Sequence, residues 1–239
     1  MVHRANASHI ASALSIVDIL ATLYGSVMKF NPKNPKEKNR DRFILSKGHA
    51  CVAVYAVLAE VGFIPKKDLK TFGKDFSWLM NHISHKVPGV EFSTGALGHG
   101  LPFGVGKSLA AKIKEENFKT YVILSDGEMD EGSNWEALMF AAHNRLDNLI
   151  AIIDYNKLQS LDTVENTLKL EPLQEKLSSF GSFVVEVDGH NFGDLEKAFS
   201  KTHPNKPKVI IAHTIKGKGV SFMENKVEWH YKVPSDEQL

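Results

Sequence analysis

Tyr121-Val122-Ile123-Leu124-Ser125-Asp126-Gly127-Glu128-Met129-Asp130-Glu131-Gly132 and, one helix-length later, Leu149-Ile150-Ala151-Ile152-Ile153-Asp154-Tyr155-Asn156-Lys157-Leu158 decide the fold. Each stretch is a short, continuous apolar run that ends abruptly in a carboxylate. Strands without polar alternation are buried on both faces, the mark of a parallel sheet covered by helices. Residues 134–145 between them carry helical spacing and complete a strand–helix–strand unit. Downstream the rhythm repeats: a helix at 172–179 closed near Gly181, a strand at 183–187, a helix at 195–201 and a strand at 209–212. Upstream, residues 10–24 place Ile16, Ile19, Leu20 and Leu23 on one stripe and predict one helix. Residues 43–45 form a short strand or buried turn, 50–61 a buried helix, 63–92 an irregular region with one short helix, and 101–116 a helix after a Gly-rich stretch. The expected fold is α/β: three layers, with a mainly parallel sheet flanked by helices, in one domain over residues 1–239.

Composition narrows the function. The chain has 239 residues, 43% hydrophobic and 24% charged, enough apolar content for a core. A net charge of +1 gives no global pull toward nucleic acid or an anionic membrane, and neither is expected as a partner. No apolar run is long enough to span a bilayer, which takes about 20 residues. Cys51 is the lone cysteine, so an internal disulfide or a multi-cysteine metal cluster is excluded. A cytoplasmic setting is the expectation.

Gly104-Val105-Gly106-Lys107-Ser108 imitates the end of a phosphate-binding loop, but the required earlier glycine is Leu101 and no strand precedes it. Gly98-x-Gly100-x-x-x-Gly104 misses the dinucleotide spacing by one residue. These glycines permit either a cofactor-contacting turn or close helix packing.

The informative positions are the strand ends. In open parallel sheets ligands sit beyond the carboxyl ends of the strands. Those ends read Ser125-Asp126-Gly127, Asp154-Tyr155-Asn156, Asp188-Gly189-His190 and His213-Thr214. Adjacent strands would bring the Asp126 carboxylate and the Asn156 amide to one edge. With a backbone carbonyl they offer the hard oxygens that Mg²⁺ takes, leaving positions for phosphate oxygens. The Gly127 N–H and the start of the following helix could assist. Asp and Asn are also ordinary turn formers, so the pair alone leaves both readings open.

Together, the stretches 125–132 and 154–158 resemble the bipartite thiamine diphosphate motif, most closely that of the transketolase family. Residues 41–50 (DRFILSKGHA), 88–100 (PGVEFSTGALGHG), Asp188-Gly189-His190, and Lys216-Gly217-Lys218-Gly219 running on to Trp229-His230 agree in order, so the resemblance covers essentially the whole chain. It implies Mg²⁺ held by Asp126, Asn156 and the carbonyl of Leu158, and diphosphate met by the Gly127 N–H. It implies that Gly95 and Leu97 contact the aminopyrimidine and thiazolium region, and that Glu131 links paired sites through a subunit interface. His9, His49, His82 and His230 would be the cleft histidines, His49 and His230 also touching the cofactor. His85 follows His82 by three positions but lacks partners for a metal pair.

Three departures stand out: Ser125 where the family carries glycine, Ala7-Ser8-His9-Ile10-Ala11 where it carries Ser-Gly-His-Pro-Gly, and His99 where it carries glutamine. The family also has helix before the point where this chain starts. Its pyrimidine-binding and C-terminal domains follow the portion seen here and hold the ring-activating glutamate. The chain therefore resembles the N-terminal subunit of a split transketolase. The implied partner is a separate chain with those domains, in a complex of two copies of each, with self-association of this chain. The implied reaction moves a two-carbon ketol unit between sugar phosphates. A component of another thiamine diphosphate enzyme (2-oxoacid dehydrogenase-type, or acting on an unusual sugar) and a non-catalytic homologue are the alternatives.

Overall fold

Five apolar runs form strands in the computed structural model, which describes residues 1–239: β1 (Arg42–Leu45), β2 (Thr120–Ser125), β3 (Leu149–Tyr155), β4 (Phe183–Asp188) and β5 (Lys208–His213). All pairings are parallel, in the order β1-β2-β3-β5-β4. β3, at the centre, is buried at every position. The reason lies in the two-residue period of a strand. Tyr121, Ile123, Ile150, Ile152, Ile210 and Ala212 enter one core, while Val122, Leu124, Leu149, Ala151, Ile153, Val209 and Ile211 enter the other. The expected three-layer α/β architecture is observed.

The helices are α1 (Val2–Ala5), α2 (Ile10–Leu14), α3 (Val17–Thr22), α4 (Cys51–Glu60), α5 (Gly100–Ile113), α6 (Gly132–His143), α7 (Val164–Thr167), α8 (Leu173–Ser179) and α9 (Phe192–Ser200). Residues of α3, α4 and α9 join the first core; those of α5, α6 and α8 join the second. Gly104 lets α5 approach β2, since a Cβ there would lie 2.6 Å from Val122. That settles Gly104 as a packing glycine. Residues 63–92 contain only a short 3₁₀ segment, Lys66–Thr71, as expected of an irregular region. The helix expected at 101–116 ends earlier, at Ile113.

The single helix expected at 10–24 is a correction. It breaks at Ser15 and Ile16, and its last turn widens over Leu23–Val27. The Ser15 hydroxyl donates to the Ser12 carbonyl at 3.0 Å, and the Ile16 N–H turns to the Ala13 carbonyl instead. The same hydroxyl reaches Asp154 Oδ2 at 2.6 Å. The apolar stripe was correctly read, but a buried carboxylate from β3 overrides the helical period.

Candidate active site

Register brings the strand ends together. Ser125 pairs with Asp154, so Asp126 and Asn156 leave adjacent strands side by side. Asp126 is buried and accepts from the Gly127 N–H at 2.8 Å and from the Lys157 N–H. Burial and the neighbouring Asp154 push its carboxyl up to about 7. Asn156 is oriented at both ends of its amide: Nδ2 donates to Asp154 Oδ2 at 3.0 Å, and Oδ1 accepts from the Leu158 N–H at 3.1 Å. Lys157 between them adopts φ +65°, the left-handed bend that carries Leu158 around.

A cleft of about 260 Å³ gathers His9, His49, His82, Gly95, Leu97, Asp126, Gly127, Asn156, Leu158 and His230. Of the site residues expected from sequence, only Glu131 lies outside it, exposed at the foot of α6 and packed against Gly98. His9 is placed by φ +73°, a strained conformation for a non-glycine, and its N–H donates to the His230 carbonyl at 3.0 Å. Its ring centroid lies 5.0 Å from those of His49 and His230 and 6.0 Å from that of His82. Burial, then the charges around them, lowers His9 to about 4 and His230 to about 3, and lowers His49 well below its usual range. These imidazoles are neutral at pH 7. His85 and His190 lie elsewhere: His85 bonds Ser93 Oγ on an exposed edge, and His190 bridges Asp18 and the Ile215 N–H.

Two buried cations escaped the sequence reading. Lys47 and Lys216 are each 1% exposed. The Lys47 ammonium donates to Asp154 Oδ2. That of Lys216 donates to the carbonyls of Leu158 at 3.0 Å and Gln159 at 2.9 Å, and meets His230 Nδ1 at 3.0 Å. Both lie in stretches legible as motifs, beside His49 and ahead of His230, but lysine is normally a surface residue and its inward turn has no local signal. Ser12, Ser125, Gln159, Ser160 and Tyr231 complete the lining.

The desolvated imidazole of His49 makes a testable difference to acid stability. Its pKa lies below the usual 6.5 in the fold, so on acidification the unfolded chain takes the proton first. The stability it contributes above pH 6.5 is lost as pH falls toward the folded value. His49→Gln cannot titrate, and its melting temperature is expected to drop less than that of wild type between pH 7 and pH 5. Calorimetry at the two pH values checks this; equal drops would refute the desolvated state.

The sequence matches the transketolase, thiamine diphosphate binding domain family over residues 1–237. The chain belongs to the transketolase family, in its thiamine diphosphate-binding portion. It is 45% identical over 240 residues to an apulose-4-phosphate transketolase subunit from Phocaeicola vulgatus, covering 100% of this chain and 85% of that protein. To the 6-deoxy-6-sulfo-D-fructose transketolase subunit of a Clostridium species it is 42% identical over 225 residues, covering 93% and 82%. The crystal structure of Campylobacter jejuni transketolase superposes with a TM-score of 0.92 at 32% identity, over 99% of this chain. This chain spans only 39% of the length of that transketolase.

The residues present fit the group that the family binds. Asp126, Asn156 Oδ1 and the Leu158 carbonyl are hard oxygen donors suited to Mg²⁺. A divalent cation with Lys47 and Lys216 outweighs the carboxylates of Asp126 and Asp154, leaving positive charge for a diphosphate. No cluster of three or more His, Cys, Asp or Glu side chains offers a rival metal site. No helix is long and apolar enough to cross a membrane.

Proposed function

We propose that this chain is the diphosphate-binding subunit of a two-chain transketolase that moves a two-carbon ketol unit from a ketose phosphate to an aldose phosphate. One observation carries the reading: the metal-type oxygens of Asp126, Asn156 and Leu158 share a cleft with four histidines. Relatives of similar length named as transketolase subunits support it and do not favour a 2-oxoacid dehydrogenase role. The partner would carry the pyrimidine-binding and C-terminal domains, in a complex with two copies of each chain, and Glu131 would lie at an interface.

Thiamine diphosphate, when bound, supplies the electron sink for breaking a carbon–carbon bond beside a carbonyl. Asp126, Asn156 and Leu158 would hold its Mg²⁺, and Lys47 and Lys216 would balance its diphosphate. Gly127 lets the backbone approach the phosphate, while Gly95 and Leu97 would bear on the ring end. His9, His49, His82 and His230 bind sugar hydroxyls and move protons. The neutral state of His9, His49 and His230 at pH 7 suits those three to accept a proton as well as donate a hydrogen bond.

In the assembled enzyme, His49→Ala and His230→Ala are expected to keep the fold and lose turnover by about 100-fold or more, the usual scale of a lost acid–base group. Steady-state kinetics with ketose donors check this, apulose 4-phosphate and 6-deoxy-6-sulfofructose included because relatives are named for those sugars. Wild-type kinetics in either variant would withdraw that histidine.

A further inference from the structure

Ser125, which stands where the family carries glycine, has a specific bonding role. Its Oγ accepts from the Glu128 N–H at 3.2 Å, and Glu128 Oε2 accepts from the Ser125 N–H at 3.4 Å. This is the reciprocal pairing of a capping box. Here it spans the start of the short 3₁₀ turn Gly127–Asp130, from one residue before the Asp126 N-cap.

Glu128 does more than cap. It is 0% exposed, and no Lys, Arg or His side chain forms an ion pair with it. Its Oε1 accepts from the Gly98 N–H at 2.9 Å and from the Ser46 hydroxyl. Ser46 Oγ in turn accepts from the Gly100 N–H at 3.1 Å. One carboxylate thereby joins three separate segments just behind the cleft. Ser46 precedes Lys47 and His49, Gly98 follows Gly95 and Leu97, and Ser125 precedes Asp126 and Gly127. The contact is tight: Gly98 sits at φ +79°, where a Cβ would meet Glu131 at 2.7 Å, and its carbonyl accepts from Ser133 Oγ at 2.6 Å.

A buried carboxylate without a cationic partner is costly, and packing alone would be served as well by an apolar side chain. What an apolar side chain cannot do is satisfy donors from three segments at once and fix their spacing. We propose that Glu128 is a positioning residue for the cofactor site, with Ser125 as its reciprocal partner and Ser46 as its link to the Lys47–His49 loop. The inference rests on Asp126, Asn156 and Leu158 being the metal ligands.

Calorimetric titration of Mg²⁺ and thiamine diphosphate into the full chain, assembled with its pyrimidine-domain partner, tests it without reading turnover. Wild type against Asp126→Asn first tests the site: equal affinities would sink the ligand assignment itself, whatever the other variants do. Ser46→Ala leaves the lining of the cleft intact, and Ser125→Gly removes one hydroxyl from it without touching a metal-type donor; each is expected to raise Kd by about tenfold, the scale of losing an outer-sphere partner. Glu128→Ala is expected to raise it further, by up to about 100-fold, with Glu128→Gln recovering part of the loss because its amide oxygen still accepts from Gly98 and Ser46. Wild-type Kd in Ser46→Ala and Ser125→Gly, even with a lowered melting temperature, would make Glu128 a structural brace only and overturn the proposal. Should Glu128→Ala fail to fold, those two variants decide the matter alone.

Discussion

Asp126→Asn is expected to abolish Mg²⁺-dependent retention of thiamine diphosphate while leaving the fold in place. The argument is one of charge at nearly constant shape. Asp126 and Asp154 are both buried at the ends of adjacent strands, and Lys47 already belongs to Asp154. Asp126 is therefore the carboxylate left to receive a divalent cation. An asparagine keeps an oxygen able to accept from Gly127 or Lys157, but it removes the only formal charge among the three metal-type donors. The loss in affinity should reach about 100-fold or more, since removing even an outer-sphere partner costs 10–100-fold. Titration calorimetry with Mg²⁺ and thiamine diphosphate measures it, and far-UV circular dichroism confirms the fold. Unchanged affinity would show that the metal sits elsewhere.

An equally large effect is expected from the partner. Alone, with saturating Mg²⁺ and thiamine diphosphate, this chain is expected to show no ketol transfer; adding a pyrimidine-domain partner should restore it up to equal stoichiometry. The cofactor must be gripped at its diphosphate and activated at its ring. The cleft here supplies the metal-type oxygens, two buried ammonium groups and neutral imidazoles, all suited to the diphosphate and the sugar. No side-chain carboxylate other than Asp126 lines it, and the proposed function assigns Asp126 to the metal. A ring-activating glutamate must then come from outside this cleft. In the proposed two-chain enzyme one partner would complete both the site and the assembly, so activity should track partner concentration. Robust transfer by the purified chain alone would overturn the two-chain reading. Silence with every pyrimidine-domain partner would favour a non-catalytic role.

Much of this was legible in the order of residues. Apolar runs at 121–124 and 149–153, with no polar alternation, demand burial on both faces, and only a sheet between two helical layers provides it. The abrupt change to Asp126 and Asn156 marks the edge where ligands bind, and the motif around them carries the cofactor's identity. These features are local: a period of two or of 3.6 residues, or a turn with one composition, can be read within a dozen residues.

What the tertiary structure alone decided involves partners far apart in the chain. Ser15 breaks a helix because Asp154, 139 positions away, lies within reach of its hydroxyl. Lys47 and Lys216 turn inward because carboxylate and carbonyl oxygens on other segments wait there, against the ordinary preference of lysine for water. His190, read within a family segment, bonds Asp18 instead of joining the cleft histidines. Ser125 departs from the family pattern yet closes a turn with Glu128, whose other oxygen reaches Gly98 and Ser46. Composition and periodicity determine which residues leave water. Which buried polar group meets which is settled only when the strand order β1-β2-β3-β5-β4 brings the loops to one edge, because a hydrogen bond depends on angstrom distances that no spacing along the chain encodes.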